Sequence, residues 1–268
     1  MPSDVIRTLI QTRTLGYFEK MSDVERSAPR VTRKIVVLNP KGGSGKTTIA
    51  TNLAAFYAAN GLPSALMDFD SQGSSTRWLS KRTLEQPKIH GIASFENHAG
   101  MTRSFAMRVP DDVLRVIVDT PAALKKHELI DLTRGADKII VPVLPSDIDI
   151  HAATRIVADL LLSAKISRHE GRLAVVANRV KSNTVVFRSL MRFLDSLEIP
   201  IAAVLRDTQN YIRSAESGLG MHELRKVDNA KDIAQWKRLL NWVEDYGALE
   251  SNRSTIGTLR AVVNGPQS

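Results

Sequence analysis

The fold of this chain is decided by the stretch Lys34-Ile-Val-Val-Leu-Asn-Pro-Lys-Gly-Gly-Ser-Gly-Lys-Thr-Thr48. Its apolar run, Ile35 to Leu38, predicts a β-strand, and Ile49 to Asn60 predicts a helix after a glycine-dense turn. Consecutive backbone N–H groups of such a turn point into one concavity, and the helix N-terminus adds positive partial charge, so we expect the turn to bind phosphates. A turn that merely contains glycines is the alternative. The strand–loop–helix context of Gly45-Lys46-Thr47 favours the phosphate loop.

Each position of this loop has an expected role. Lys46 should reach the β- and γ-phosphates, and the Thr47 hydroxyl should bind Mg²⁺. Lys41 is a second lysine, although one lysine is enough to neutralise the loop's own nucleotide. We therefore expect Lys41 to contact a nucleotide held by another subunit across a face-to-face dimer. The expected nucleotide contacts come from Gly42, Gly43, Ser44, Gly45, Lys46, Thr47 and Thr48.

The pattern Lys41-Gly-Gly-Ser-Gly-Lys-Thr47, with its extra lysine, resembles the deviant phosphate loop of the ParA/MinD family of dimerising ATPases. The resemblance covers most of 33–246. It implies an α/β P-loop NTPase with a doubly wound, mostly parallel sheet, ATP and Mg²⁺ as ligands, and an ATP-bound homodimer. We expect one ATPase domain over 33–248, an N-terminal extension over 1–32, and a disordered tail over 249–268.

Composition narrows the function classes. The chain has 268 residues and no cysteine, which excludes disulfides, thiolate metal sites and the iron–sulfur relatives of this fold. No apolar run approaches the ~20 residues of a membrane span, and no signal core is evident, so we expect a cytoplasmic protein. A net charge of +9 suggests a polyanionic partner, either nucleic acid or an anionic membrane surface. With only 5% aromatic residues, backbone-directed binding to duplex DNA fits better than stacking on single strands.

Apolar runs alternate with helical patterns along the chain, which predicts a parallel, doubly wound sheet with ligands at the carboxyl ends of its strands. The predicted strands are 35–39, 64–68, 113–118, 138–143, 173–178 and 201–205. The predicted helices are 47–60, 127–134, 149–164, 185–196, 208–217 and 229–246.

Carboxylates and an asparagine follow three of these strands. Asp68 and Asp70 end the second strand, and by resemblance Asp70 orients the attacking water while Asp68 holds the magnesium shell. A helix N-cap is the alternative for Asp70. Asp119 ends a buried strand, which is typical of the carboxylate that binds a magnesium-coordinated water. Asn178 can match the adenine edge with one donor and one acceptor, as in MinD-like relatives, or can simply form a turn. The catalytic set is therefore Lys41, Lys46 and Asp70.

The segment from Leu205 to Gly218 resembles a ParA segment whose arginines lie on the surface that faces nucleic acid. Several basic residues there and beyond predict salt-sensitive, non-specific DNA binding, with solvated helix surface as the alternative. Trp236 and Val243 belong to an apolar stripe that fits core packing better than a membrane interface. The DNA candidates are Arg206, Arg213, Arg225, Lys226, Lys231, Lys237 and Arg238.

Together with these residues, the resemblance implies a weak Mg²⁺-ATPase that binds the nucleoid as an ATP dimer and positions cargo, with hydrolysis stimulated by a cargo-linked partner protein. The segment Val141–Ile150 resembles carboxysome-positioning members of the family, which favours a protein assembly over a plasmid or chromosome locus. A membrane-surface regulator of division or polar placement is the main alternative. A metabolic P-loop amidase or synthetase is less consistent with the sequence, because no nucleophilic cysteine is present.

Overall fold

The computed structural model describes residues 31–95, 107–224 and 229–244. The expectations for the N-terminal extension before residue 31 and for the tail lie outside these residues. So do the predicted DNA contacts of Arg225 and Lys226.

Seven parallel strands of the described residues form one sheet, in the order β3-β2-β4-β1-β5-β6-β7. The expected doubly wound α/β fold is therefore confirmed, and every strand pair is parallel. The strands are β1 Arg33–Val37, β2 Ser64–Asp68, β3 Ile89–Ala93, β4 Arg115–Asp119, β5 Lys138–Val143, β6 Leu173–Val180 and β7 Ile201–Arg206.

Helices cover both faces of this sheet. They are α1 Lys46–Ala59, α2 Ser74–Leu79, α3 Lys126–Thr133, α4 Asp147–Leu162, α5 Val185–Ser196, α6 Asn210–Glu216 and α7 Ala230–Val243, with short 3₁₀ turns at Arg168–Glu170 and Met221–Glu223. Ile35 and Val37 of β1 pack in the core under α1 and α7, whereas Val36 lies in the core under α3, α4 and α5. Because β1 is buried on both faces, its sequence is a continuous apolar run.

The predicted set of elements lacks β3 and α2. Strand β3 has the sequence Ile-His-Gly-Ile-Ala and lies at the edge of the sheet, so it lacks the long apolar run of a central strand. Helix α2 begins with two serines and spans only six residues, so its apolar pattern is too short to detect.

Helix α7 is a core helix, as expected from its apolar stripe. Trp236 and Val243 are buried and belong to the core that α7 forms with α1. The C-terminal end of α7 is fixed by Glu244, which accepts hydrogen bonds from Arg115 Nη2 at 2.8 Å and from the Tyr57 hydroxyl at 2.6 Å. Arg115 is only 1% exposed, so Glu244 neutralises a charge that water cannot reach.

Replacing this carboxylate tests how firmly α7 is attached. In Glu244→Ala the buried Arg115 guanidinium loses its counterion, so the free energy of unfolding should fall by about 3–5 kcal/mol. Urea unfolding of the nucleotide-free protein measures the change. The control is Asp131→Ala, which removes the exposed pair that Asp131 forms with Arg134 at 3.2 Å and should cost less than about 1 kcal/mol. Equal losses in the two variants would contradict this account of α7.

Candidate nucleotide site

The candidate site lies where the loops after β1 and β4 separate. Helix α1, which follows β1, packs on one face of the sheet, and α3, which follows β4, packs on the other. The two strands are neighbours, with Val37 paired to Asp119. A crevice between diverging loops at carboxyl strand ends is the usual ligand position in such folds.

The phosphate loop, residues 40–47, joins β1 to α1. Gly43 and Gly45 have φ angles of 76° and 94°, a left-handed conformation that favours glycine. At Gly45 a Cβ atom would also lie 2.1 Å from Asn178 Nδ2. Gly42 and Gly43 are exposed at the surface of the loop, whereas Ser44 is buried, so the glycine backbone remains accessible to a ligand.

Two asparagines hold this loop from neighbouring strands. Asn39 donates to the Pro142 carbonyl at 2.6 Å, and its own oxygen accepts from the Lys41 N–H at 2.8 Å. Asn178, at the end of β6, donates to the Ser44 carbonyl at 2.8 Å. Its oxygen accepts from the Arg179 N–H at 3.0 Å. One N–H and one lone pair of the Asn178 amide are left over, so its adenine contact stays a prediction, while its contact with the loop is a finding.

Lys46 lies inside the loop. Its side chain is mostly buried, and Nζ donates to the Lys41 carbonyl at 3.1 Å. Burial lowers the pKa of Lys46, while the nearby Asp119 and Asp70 carboxylates oppose that shift. The ammonium group is therefore placed between the loop backbone and two of the predicted carboxylates.

Asp119 is a buried carboxylate with one oxygen free among the described residues. Oδ2 accepts from the Ser75 hydroxyl at 2.6 Å, and Oδ1 is buried with no hydrogen-bond partner. Burial raises the pKa of Asp119 to about 6, and hydrogen bonds from Ser75 and Thr47 limit the rise. Carboxylate and hydroxyl oxygens suit Mg²⁺, which takes one or two carboxylates and phosphate oxygens in such sites. Thr47 and Asp119 therefore fit the predicted magnesium site.

Asp68 has a different environment. Its Oδ2 accepts from the Thr76 N–H at 2.9 Å and from the Thr76 hydroxyl at 3.0 Å, and its Oδ1 accepts from the Asp70 N–H at 3.1 Å. The carboxylate thus caps α2 and fixes the turn after β2. Its predicted part in the magnesium shell stays a prediction that these contacts do not favour. Asp70 itself accepts from the Gln72 N–H at 2.9 Å and remains partly exposed beside Lys46.

Lys41 points away from Lys46 within the protomer. Its Nζ lies 2.6 Å from Asp149 Oδ2, in the first turn of α4. The Asp149 side chain is 2% exposed, and the Ser146 hydroxyl also contacts Oδ2. The two lysines of the loop therefore have different partners, because Lys46 bonds to the loop and Lys41 bonds to α4.

The predicted DNA contacts divide into two groups. Arg206 forms an ion pair with Asp232 of α7, with Nη2 at 3.0 Å from Oδ2, and Asp232 is fully buried. Asn210 donates to the same carboxylate at 2.9 Å, so Arg206 has a structural role that the sequence did not reveal. Arg213 on α6 is exposed. Lys231, Lys237 and Arg238 on α7 are also exposed.

Sequence reasoning missed Asn39, Ser75 and Asp149. Asn39 ends the predicted strand 35–39 and Asp149 begins the predicted helix 149–164, so both lie at the ends of predicted elements, where no pattern indicated a contact with the phosphate loop. Ser75 had no signal, because its contact with Asp119 joins residues 44 positions apart.

Residues 35–221 match the family model of the CobQ/CobB/MinD/ParA nucleotide-binding domain. The chain belongs to this family. Its fold is that of the ParA/MinD P-loop NTPases, as expected from the phosphate loop.

Three similar proteins illustrate the range of the family. The "Maintenance of carboxysome distribution protein A" of Gloeobacter kilaueensis is 31% identical over 80% of this chain and 93% of its own length. The protein of the same name from Halothiobacillus neapolitanus is 27% identical over 71% of this chain and 87% of its own length. A plasmid partition protein from Borrelia burgdorferi, solved with AMPPNP, superposes with a TM-score of 0.61 at 14% identity, covering 80% of this chain and 99% of that one.

The raised pKa of Asp119 gives a stability prediction with a definite sign. The folded state binds the carboxyl proton of Asp119 more tightly than the unfolded state does. The cost of burying the ionised carboxylate therefore lowers the free energy of unfolding as the pH rises from 3.8 to about 6. At pH 8 and without nucleotide, Asp119→Asn should be about 2–3 kcal/mol more stable to unfolding than the parent, and the gain should vanish near pH 4. Urea unfolding at the two pH values measures this. A gain of equal size at both pH values would contradict it.

Proposed function

We propose that this chain is a magnesium-dependent ATPase whose ATP-bound form is a homodimer that binds duplex DNA without sequence preference and positions an intracellular cargo. A cargo-linked partner protein stimulates its weak hydrolysis and so releases the dimer from DNA. The protein acts in the cytoplasm, on the nucleoid.

The observation that carries this proposal is the separation of the two lysines. Lys46 is close enough to Asp119 and Asp70 for their charges to oppose the lowering of its pKa, so it serves the nucleotide of its own subunit. The Lys41 ammonium instead lies 2.6 Å from Asp149 on α4. A triphosphate presented by a second subunit offers Lys41 a stronger anionic partner than one carboxylate. Exchange of Asp149 for that triphosphate makes dimerisation depend on ATP.

Each group of site residues has its own chemical role. Backbone N–H groups of the phosphate loop and the Lys46 ammonium neutralise the phosphates, while Thr47 and Asp119 hold the metal. Magnesium, when bound, neutralises charge that develops on the transferring phosphoryl group. Asp70 is beside Lys46 and partly exposed, so it can orient a water for attack on the γ-phosphate.

The names of the relatives support the choice of cargo, and the positive charge supports the choice of DNA as the binding surface. Two relatives that cover most of this chain are named for carboxysome distribution, which favours a carboxysome or another protein assembly over a plasmid or chromosome locus. The net charge of +9 and the exposed bases of α6 and α7 support binding to the DNA backbone.

A membrane surface is less well supported. The apolar stripe of α7 is inside the core, with Trp236 5% exposed and Leu239 fully buried, so it is not available to lipid. None of the helices in the described ranges is long and apolar enough to cross a membrane. Lipid cosedimentation with ATP, in the absence of DNA binding, would reverse this choice.

Asp70→Ala tests the hydrolytic step. Loss of the water-orienting carboxylate should lower the rate of phosphate release at least about 100-fold while ATP affinity is kept. Phosphate release and binding of a fluorescent ATP analogue measure the two properties. Asp111→Ala, a change at a carboxylate that is 93% exposed, is the control and should hydrolyse ATP like the parent. Normal turnover in Asp70→Ala would rule out the assigned role.

Arg213→Glu tests the DNA surface. Arg213 is exposed, whereas Arg206 is bound to the buried Asp232. The variant should leave DNA at lower salt, and the slope of log K against log salt should fall by about 0.9 for each phosphate that the protein no longer neutralises. Retention on duplex DNA with ATP at several salt concentrations measures this.

Arg134→Glu is the matched control, because Arg134 is exposed and lies at the C-terminal end of α3, before β5. If the two variants are retained on DNA equally well, Arg213 does not belong to the DNA-binding surface. Arg206→Glu is a poor probe, since it would place a second carboxylate against the buried Asp232.

A further inference from the structure

The carboxylate at the magnesium site is joined to the helix that bears Arg213 by one short segment, Ser74–Arg82, here termed the strut. It begins at the strand ends of β2 and β4 and ends against the turn after α6. None of the sequence patterns pointed to this segment.

The first end of the strut is attached to two carboxylates. The Ser75 hydroxyl donates to Asp119 Oδ2 at 2.6 Å, and Ser75 is fully buried. One residue on, Thr76 binds Asp68 Oδ2 with both its N–H and its hydroxyl. Asp68 and Asp119 are paired across β2 and β4, so both carboxylates hold the first turn of α2 from neighbouring strands.

The second end is attached to the chain around α6. Arg82 donates to Glu223 through Nη1 and Nη2, each at 2.9 Å, and Nη1 also donates to the Gly218 carbonyl at 2.9 Å. Lys81 Nζ donates to the Ala215 carbonyl of α6 at 3.2 Å. A Cβ at Gly218 would come within 2.9 Å of the backbone of Lys81 and Arg82, so the two segments are in direct backbone contact.

The middle of the strut is packed. Trp78 is 4% exposed, and the Arg82 guanidinium lies 5.2 Å from the centre of its ring. Close-packed interiors transmit displacements rather than absorb them. Asp119 Oδ1 has no hydrogen-bond partner among the described residues, so a ligand that bound there would share one carboxylate with Ser75, which is bonded to Oδ2.

We propose that the strut transmits the state of the magnesium–phosphate site to α6, with Ser75 and Arg82 as the positioning residues at its two ends. Binding of Mg²⁺–nucleotide moves or tightens the first turn of α2, and Arg82 transmits this change to the turn at Gly218. The orientation of α6, and with it Arg213, then depends on nucleotide. This inference rests on the proposed function and adds the route by which nucleotide controls the DNA surface.

Hydrogen–deuterium exchange tests the route without DNA and without turnover. In the parent protein, AMPPNP with Mg²⁺ should slow exchange of the amides of Asn210–Glu216 by roughly tenfold, a coupling of ordinary size between sites. In Ser75→Ala and in Arg82→Gln, α6 should respond by less than about twofold while the phosphate loop is still protected by the nucleotide.

Matched controls carry the same substitutions at residues that make neither of the two attachments. Ser80→Ala removes a hydroxyl that donates to the Arg77 carbonyl, and Arg134→Gln removes an exposed guanidinium elsewhere. Both should keep the parent response of α6. If Ser75→Ala fails to bind nucleotide, Arg82→Gln alone tests the proposal, because Arg82 makes its contacts at the other end of the strut, with Glu223 and Gly218.

Two results would overturn the proposal: an α6 that does not respond in the parent, or an unchanged response in Arg82→Gln. The experiment can distinguish a failure of the strut proposal from a failure of the proposed function. ATP-dependent retention on DNA with an unresponsive α6 would reject the strut alone. A responsive α6 without any DNA retention would reject the proposed function and keep the strut.

Discussion

The site depends on a glycine loop that is held in place from two neighbouring strands. Asn39 ties the start of the loop to β5, and Asn178 ties its middle to β6. These hydrogen bonds fix a backbone in which Gly43 and Gly45 have left-handed conformations, which glycine adopts without steric cost. Because the loop is fixed, Lys46 is held between the Lys41 carbonyl and the carboxylates after β2 and β4.

Asp119 and Asp149, two acidic residues near this loop, each have one buried oxygen with no hydrogen-bond partner among the described residues. Asp119 is buried with a raised pKa and an unpartnered oxygen, so the nucleotide-free fold carries a destabilising group that a metal would satisfy. Lys41 and Asp149 form an ion pair through Asp149 Oδ2, and a dimer in which Lys41 reaches the partner's phosphates must first separate them. Under the proposed function, both features make the conformational equilibrium sensitive to nucleotide, which is the behaviour expected of a switch.

The sequence predicted the fold class, the strand–loop–helix context of the glycine loop and the position of Asp119 at the end of a buried strand, because each depends on local pattern. An apolar run followed by glycines and a lysine is visible without tertiary contacts. Ser75, Asp149 and the partner of Arg206 could not be predicted in this way, since each contact joins distant segments. Arg206 shows the limit most clearly: its basic character suggested a surface role, and only the buried carboxylate of α7 reveals that it holds two elements together.

The strut illustrates the same limit for function. Its helix is too short to leave a periodic pattern, and its second attachment depends on Gly218 allowing backbone contact. The role of such a segment becomes visible only when both ends are considered together, one at the buried carboxylate of Asp119 and the other at a helix with exposed basic charge.

The central claim is that ATP is shared between two subunits, with Lys41 crossing from each. Its most direct test is the solution mass of Asp70→Ala by light scattering at saturating ATP and Mg²⁺, where slow turnover preserves the complex. We expect Asp70→Ala to have twice the mass of one chain. When Lys41→Ala is added to it, the mass should fall to that of one chain while ATP remains bound. A single-chain mass for Asp70→Ala with bound ATP would contradict it.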